Sequence, residues 1–515
     1  MNNINEIISY FNNSSYENIK TNNAISYLKE NNLKIDLDKD NFNKLSNEQK
    51  KNIYKFINLK EEDKLNFLTN TLAYKDSYLL NEYDMKYFTN ELEKLYENSE
   101  LTSSIFIDPY NFTRFSNITN LNNLTNVIKN DYVINRDFSY LKSHDNIQKL
   151  GFYILPKSAS PGFKNFRKIV NSLKKMYNLY LFIDDSKASM DSSDLSFFDD
   201  VTELNFVSDL SNQSLENLIN QKDLTIMIYI YGLYKRKDVV LKKPSPIQIS
   251  FQEPPVIYPN YVYDYNLIDK NLYEALKKYA KIDDSIYKII TLKENFILPM
   301  PHYSQTYLHV TEPKYNPDCI KIGLIAYSPK ISDELVQLVK KIILLSPNIY
   351  VTIYGYVNKE WINGLFNSNQ VIHDTYNNTY PDKLLGNHLF IDSIVQNNHS
   401  TALEIIKLKR PFIGYLNKNK YHGCFSYSLM KSLKMDKYFL SDNIDDYVNL
   451  IKLYTYNEHV YNRMYHKFIK KLDESNILSD NKYVDDFTNT LNEFYQNYRK
   501  ENFNWYIFEY HQMDD

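Results

Sequence analysis

The sequence predicts an α/β protein with two doubly wound, Rossmann-like halves facing a cleft, preceded by a mostly helical N-terminal region. Three observations predict it. From Leu150, short runs rich in β-branched and aromatic residues alternate with amphipathic segments: LGFYILP, FKNFRKIVNSLKKMY, YNLYLFID, ELNFVSD, QSLENLINQ, LTIMIYIYG and PIQISF. That order is expected of βα units around a parallel sheet. A second series begins at IKIGLIAY and runs through DELVQLVKKIILLSP, IYVTIYGY, KEWINGLFN, HLFIDSIV, TALEIIKLK, PFIGYL and CFSYSLMKSLK. Before both, segments such as NAISYLKENN, QKKNIYKFINL and DMKYFTNELEKLYENS repeat apolar residues at three and four, which is helical spacing without strand runs.

These elements divide the chain into a helical region over 1–110, a polar Asn-rich connector over 111–148, one Rossmann-like domain over 149–310, a second over 311–455, and C-terminal helices over 456–515. The two sheet-rich domains meet at PMPHYSQTYLHVTEPKYNPD, whose prolines and lack of periodicity mark a linker. No fixed-period repeat is present in the helical region.

Composition excludes several function classes. With 60 basic and 63 acidic residues the net charge is −3, so no charge-driven nucleic-acid partner is implied. Cys319 and Cys424 are too few for a disulfide framework and have no metal-ligand spacing, which fits a cytoplasmic location. The start MNNINEIISYFNN lacks the basic flank and apolar stretch of a signal peptide, and LTIMIYIYGLY is too short to span a bilayer. The acidic pairs Asp184-Asp185 and Asp199-Asp200 have no accompanying ligands and are expected to be solvated loop ends.

Chemistry concentrates at NNHSTALE, Asn397 to Glu404, between the strand HLFID and the helix TALEIIKLK. In open α/β sheets, ligands bind beyond the carboxyl ends of strands. A helix start there presents unpaired N–H groups and the positive end of the dipole, an anion site to which His399, Ser400 and Thr401 add side-chain donors. The same residues fit a capping box, with Thr401 as N-cap and Glu404 reaching back three positions later.

The segment LFIDSIVQNNHSTALEIIKLKRPFIGYLNKNKYHGCFSYSLMKSLKMDKYFLSDNIDDYV resembles the catalytic region of the O-GlcNAc transferase family and its bacterial protein-glycosylating relatives. Asp392, His399, Ser400, Thr401, Glu404, Pro411, Ser426 and Ser428 fall on the family pattern, and Asn398 stands where that pattern has Gly. Three more segments match in order: IGLIAYSPKISDELVQLVKKIILLSPNIYVTIY; LKKPSPIQISFQEPPVIYPNYVYDYNLID; and, upstream, YIYGLYKRKD together with KLGFYILPKSASPGF. The likeness spans roughly 148–455.

The resemblance implies a GT-B glycosyltransferase that moves a sugar from a UDP-sugar to an acceptor protein or glycoprotein, on Ser/Thr hydroxyls with Asn as the alternative. It implies no metal and no cofactor beyond the UDP-sugar co-substrate. The first sheet domain would lie on the acceptor side and the second would hold the nucleotide-sugar. Lys330 falls on the family lysine that contacts the donor diphosphate, and His399, Ser400 and Thr401 would hold the same phosphates, with Asn398 before them also counted among the donor-binding residues. Glu404 would accept from ribose hydroxyls, and Tyr327 and Lys383 stand where the family has a donor-side Gln and an Arg.

The acceptor side departs further from the pattern. Ser160-Pro161 replaces a His-Pro, and the Gly of a Gly-x-Pro loop becomes Gln252 or Glu253. His302 near the linker and Glu253 in its loop are the remaining candidates for a catalytic group. These losses motivate an alternative, a non-catalytic GT-B adaptor that binds glycan or partners an active transferase. Assembly with itself or another chain stays open.

Overall fold

The computed structural model describes residues 149–154, 160–186, 198, 200–230, 232–251, 257–260, 262–293, 310–326, 330–355, 359–374 and 380–511. The helical region and connector expected over 1–148 lie outside the described residues.

The first sheet domain runs β1 (Lys149–Ile154), α1 (Ser160–Leu173), β2 (Asn178–Ile183), β3 (Glu203–Phe206), α2 (Asn212–Lys222), β4 (Ile226–Ile230), α3 (Gly232–Leu241), β5 (Ile247–Phe251), β6 (Tyr265–Asp269), α4 (Lys270–Ala275) and β7 (Ile289–Leu292). Its strands form a parallel sheet in the order β3-β2-β1-β4-β5-β6-β7. The central strands β4 and β5 are buried along their whole length, as IMIYI and IQISF require of a parallel sheet covered on both faces.

The second domain runs β8 (Ile320–Ile325), α5 (Asp333–Ile343), β9 (Ile349–Tyr354), α6 (Lys359–Phe366), β10 (Val371–Asp374), α7 (Tyr380–Leu385), β11 (Leu389–Ile391), α8 (Ser400–Lys407), β12 (Phe412–Tyr415), α9 (Phe425–Ser432), α10 (Asp436–Phe439) and β13 (Leu440–Ser441). Then come α11 (Ile444–Thr455), α12 (Glu458–Asp473) and α13 (Asp480–His511). The sheet is again parallel, ordered β10-β9-β8-β11-β12-β13. In each domain the strand order reverses beside the first strand. The crossovers leave on opposite sides there, so a crevice opens beyond the carboxyl ends of β1 and β4 in one sheet, and of β8 and β11 in the other.

Packing, more than capping, fixes the helices. Ser332 caps α5 by accepting from Leu335 N–H at 3.1 Å, worth about 1 kcal/mol. The same helix buries Leu335, Val336, Leu338, Val339, Ile342 and Ile343, each worth about 1.5–3 kcal/mol. Helix α13 returns to the first domain, packing on α1 and β7. There Phe487 lies 5.0 Å from Phe251 and Phe494 lies 4.7 Å from Tyr265, ring centre to ring centre.

Two features differ from the sequence expectation. Strands β6, β7, β10 and β13 were not foreseen: β7, β10 and β13 are short and partly exposed and so lack the continuous apolar run of a central strand, while β6, YNLID, is buried but carries polar Asn266 and Asp269 within its five residues. Asp184 is not a solvated loop end: it is buried at the carboxyl end of β2. Its carboxylate accepts from Tyr153 Oη at 2.5 Å and from Arg236 Nε at 2.7 Å. Asp185 is half-buried and Asp200 is exposed, paired with Lys174 at 2.7 Å, while Asp199 lies outside the described residues.

Candidate functional site

The second domain brings together two connections that are far apart in sequence. Strands β8 and β11 pair side by side, Leu389 with Ile322, Phe390 with Gly323 and Ile391 with Leu324. Lys330 follows β8 and Asn397, Asn398 and His399 follow β11, so they occupy the two lips of the crevice. Lys330 Nζ donates to Asn398 Oδ1 at 2.9 Å and reaches the Asn397 carbonyl at 3.5 Å. The lysine is only 6% exposed.

A buried carboxylate holds the β11 lip. Asp392, at the end of β11, accepts from the N–H groups of Ser393 at 2.9 Å and Asn398 at 2.7 Å, and from the Ser426 hydroxyl. Tyr447 Oη accepts the Asp392 N–H at 2.8 Å and donates to the Ile413 carbonyl at 2.5 Å. Asn397 adds a brace: its amide donates to the Tyr415 carbonyl at 2.8 Å, and its oxygen accepts the Ser426 N–H at 3.2 Å. Burial pushes the Asp392 carboxyl well up from the usual carboxylate range, while the Ser426 hydroxyl, the Asn398 N–H and the Lys330 charge pull it back down.

Helix α8 begins at Ser400, with His399 as its N-cap and no side-chain capping bond. The capping box expected at Thr401 and Glu404 is therefore not formed: Thr401 is already the second helical residue, where its side chain is past the capping position. The His399 carbonyl instead accepts from Ala402 N–H at 3.1 Å. The His399 ring packs edge-on against Phe425, 4.6 Å between centres. Burial and the neighbouring Lys330 charge push its imidazole down to about 3, so it is neutral at pH 7.

Glu404 is buried one turn into α8, and burial raises its carboxyl to about 8, with Lys407 opposing. Such a group carries a proton at pH 7 and can donate as well as accept a hydrogen bond. Lys383 stands apart, in α7, paired with Asp374 at 2.6 Å. Ser400 is the first residue of α8. Tyr327, Glu253 and His302 lie outside the described residues, as does Gln252.

A second set of polar residues joins the two domains. Ser428, on α9, donates to Asp269 Oδ1 at 2.5 Å, and Asn271 donates to Ser432 Oγ at 3.0 Å. Asp269 also caps α4, accepting from Leu272 N–H at 2.8 Å. Sequence reasoning placed Ser428 on a family pattern but missed Asp269 and the role of Asn397. The signal for Asp269 was a capping aspartate directly before KNLYEA.

The arrangement supplies a buried cation and a helix N-terminus on one lip-to-lip contact at the end of a parallel sheet, which is suited to an anionic ligand. Among the described residues, no helix is long and apolar enough to cross a membrane.

No family model matches the chain, and no curated protein matches it in sequence. Solved structures do match. A variant of the Thermobaculum terrenum O-GlcNAc transferase superposes with a TM-score of 0.60 at 13% identity, over 87% of this chain and 84% of that one. An Anabaena protein in complex with UDP and glucose gives 0.43 at 9% identity, over 67% and 100%. A Rickettsia africae glycosyltransferase gives 0.42 at 12%, over 69% and 99%. The first of these likenesses, with the two parallel sheets described above, shows that the chain has the two-domain GT-B fold of glycosyltransferases.

Proposed function

We propose that the protein is a glycosyltransferase that moves a sugar from a UDP-sugar to protein side chains, Ser/Thr hydroxyls rather than Asn. The observation that carries this reading is the meeting of Lys330 with Asn398 at 2.9 Å, directly before α8, at the strand-order reversal of the second sheet. A diphosphate placed there would lie between an ammonium ion and the positive end of a helix dipole.

In the reaction, the acceptor oxygen bonds to the anomeric carbon as the bond from that carbon to the phosphate oxygen breaks, and the hydroxyl proton passes to the departing phosphate or to solvent. Negative charge grows on the departing UDP. Lys330 and the first turn of α8 stabilise that charge more in the transition state than in the ground state, which is the kind of interaction that raises kcat. Neutral His399 adds a hydrogen bond without a further charge to desolvate. This division of labour asks no metal ion to neutralise the diphosphate. Glu404, protonated at neutral pH, serves as a donor or acceptor toward ribose hydroxyls and is unsuited to be the base that removes the acceptor proton.

A panel of UDP-sugars, assayed for donor hydrolysis and for transfer to peptides, tests the proposal. Lys330→Ala should lower turnover about 100-fold or more, the scale of losing one preorganised charge-stabilising group. Unchanged turnover in that variant would sink the donor site.

One observation favours the adaptor alternative: Asn398, in place of a Gly, engages the lysine that would otherwise face phosphate. Calorimetry with UDP separates the two, since a decayed donor site would give no heat of binding.

A further inference from the structure

Asn398 is 1% exposed, and its side-chain oxygen and nitrogen have opposite fates. Lys330 Nζ has only protons to offer, so the atom it meets at 2.9 Å must be the amide oxygen, which fixes the orientation of the amide. The Nδ2 group then sits on the same small plane, beside the ammonium, buried and with no hydrogen-bond acceptor among the described residues. The backbone N–H of Asn398 is fixed separately, to Asp392 at 2.7 Å, so the residue is held both from its main chain and through the Oδ1 contact to Lys330. Leaving a buried donor unsatisfied costs about 1–3 kcal/mol. Two such protons, beside the Lys330 ammonium and two residues before the first turn of α8, are donors that an incoming acceptor would satisfy.

We propose that Asn398 is a ligand-contacting residue with two jobs: its Oδ1 aims the Lys330 ammonium, and its Nδ2 donates directly to an oxygen of a nucleoside diphosphate. This inference rests on the donor-site reading given under Proposed function and adds to it a contact that a glycine cannot make. The diphosphate is specified over a nucleoside or monophosphate because Lys330, Nδ2 and the helix start present donors that a single phosphate group need not reach together. Binding proceeds without ejecting Asn398 from Lys330, as the two groups use different atoms of the amide.

The test is calorimetry of the full chain with UDP, UMP and inorganic pyrophosphate, on the wild type, Asn398→Ala, Asn398→Asp and Lys330→Ala, with thermal melting of each. Asn398→Asp keeps the shape and an acceptor for Lys330 while removing the donor, so it remains informative if Asn398→Ala fails to fold. Asn398→Ala should weaken UDP and pyrophosphate about tenfold, the value of one hydrogen bond to a charged group. Asn398→Asp should weaken them further, and UMP should lose less than UDP in both. Affinities within twofold of wild type in the Asn398 variants, while Lys330→Ala loses UDP, would overturn the role of Asn398 and leave the donor site standing. Absence of UDP and pyrophosphate binding in the wild type would refute the donor site, and this inference with it.

Discussion

Ser428 Oγ donates to Asp269 Oδ1 at 2.5 Å, joining α9 of the second domain to the N-cap of α4 in the first. The pair matters because Asp269 is buried, and burial lifts its carboxyl to about 6 against the pull of the Ser428 hydroxyl and the Leu272 N–H. Its native value exceeds the ordinary carboxylate value, so the native state keeps a proton that the unfolded chain has released. Stability from this group therefore falls as pH rises from about 4 through 6.

Ser428→Ala removes the bond that favours the charged form and moves that window upward. The variant should lose about 1–3 kcal/mol at pH 8 and less at pH 5, where Asp269 is protonated in both proteins. Chemical denaturation at the two pH values checks this, and amide exchange should rise first along α4 and α9. Equal losses at both pH values would detach the effect from Asp269.

Glu404 gives a pH dependence of its own. Its carboxyl is raised to about 8, so between the ordinary value near 4.3 and about 8 the native chain holds a proton that the unfolded chain lacks. Stability declines with rising pH across that interval and levels off above it. Glu404→Gln carries no such penalty. Its unfolding free energy should match wild type at about pH 4 and exceed it at pH 8.5, by a difference on the order of 1–3 kcal/mol after relaxation of the site. A gap independent of pH would mean that Glu404 is ionised in the native state.

The ion pair between Asp184 and Arg236 carries the largest expected loss. Arg236 also donates to the carbonyls of Val207 at 2.7 Å and Leu210 at 2.8 Å, so it stitches the β3–α2 loop to the ends of β1 and β2. Asp184→Ala leaves a buried guanidinium without its counter-charge and should cost about 3–5 kcal/mol. Tyr153→Phe removes one hydrogen bond to the same carboxylate and should cost about 1 kcal/mol. Urea denaturation of both variants gives the ordering, and the reverse ordering would contradict the geometry.

How much of this was legible beforehand follows from where each signal resides. Strands such as IMIYI and IQISF, and helix α5 with its six buried residues, are written as local patterns, so the doubly wound halves could be read directly. The Lys330–Asn398 meeting depends on β8 and β11 being neighbours across a crossover, which no local pattern encodes; the family likeness alone placed those residues on one ligand. Asp184 was misread because an acidic pair looks alike in water and in a core until Arg236, distant in sequence, is brought to it. The capping box at Thr401 failed for a related reason: the turn is fixed from outside by Asp392 and Asn397, so the helix starts two residues early without needing a hydroxyl cap.

Gly414 tests whether that outside bracing reaches the site. It lies in β12, and a Cβ there would meet the Ser426 Cβ at 2.7 Å and its Oγ at 3.2 Å. Both contacts are too close, and Ser426 cannot retreat without leaving Asp392, because its hydroxyl and N–H are both engaged on that lip. Gly414→Ala should therefore cost about 1–3 kcal/mol through overpacking. More specifically, it should weaken UDP binding although residue 414 is not among the groups assigned to the ligand, since a displaced Ser426 releases the carboxylate that positions the Asn398 N–H. Ser426→Ala with Gly414→Ala separates the two effects: the small side chain relieves part of the clash, so stability should recover partly while UDP affinity should not. Recovery of both together would show that Asp392 holds the Asn398 turn without Ser426, and that the bracing stops at β12.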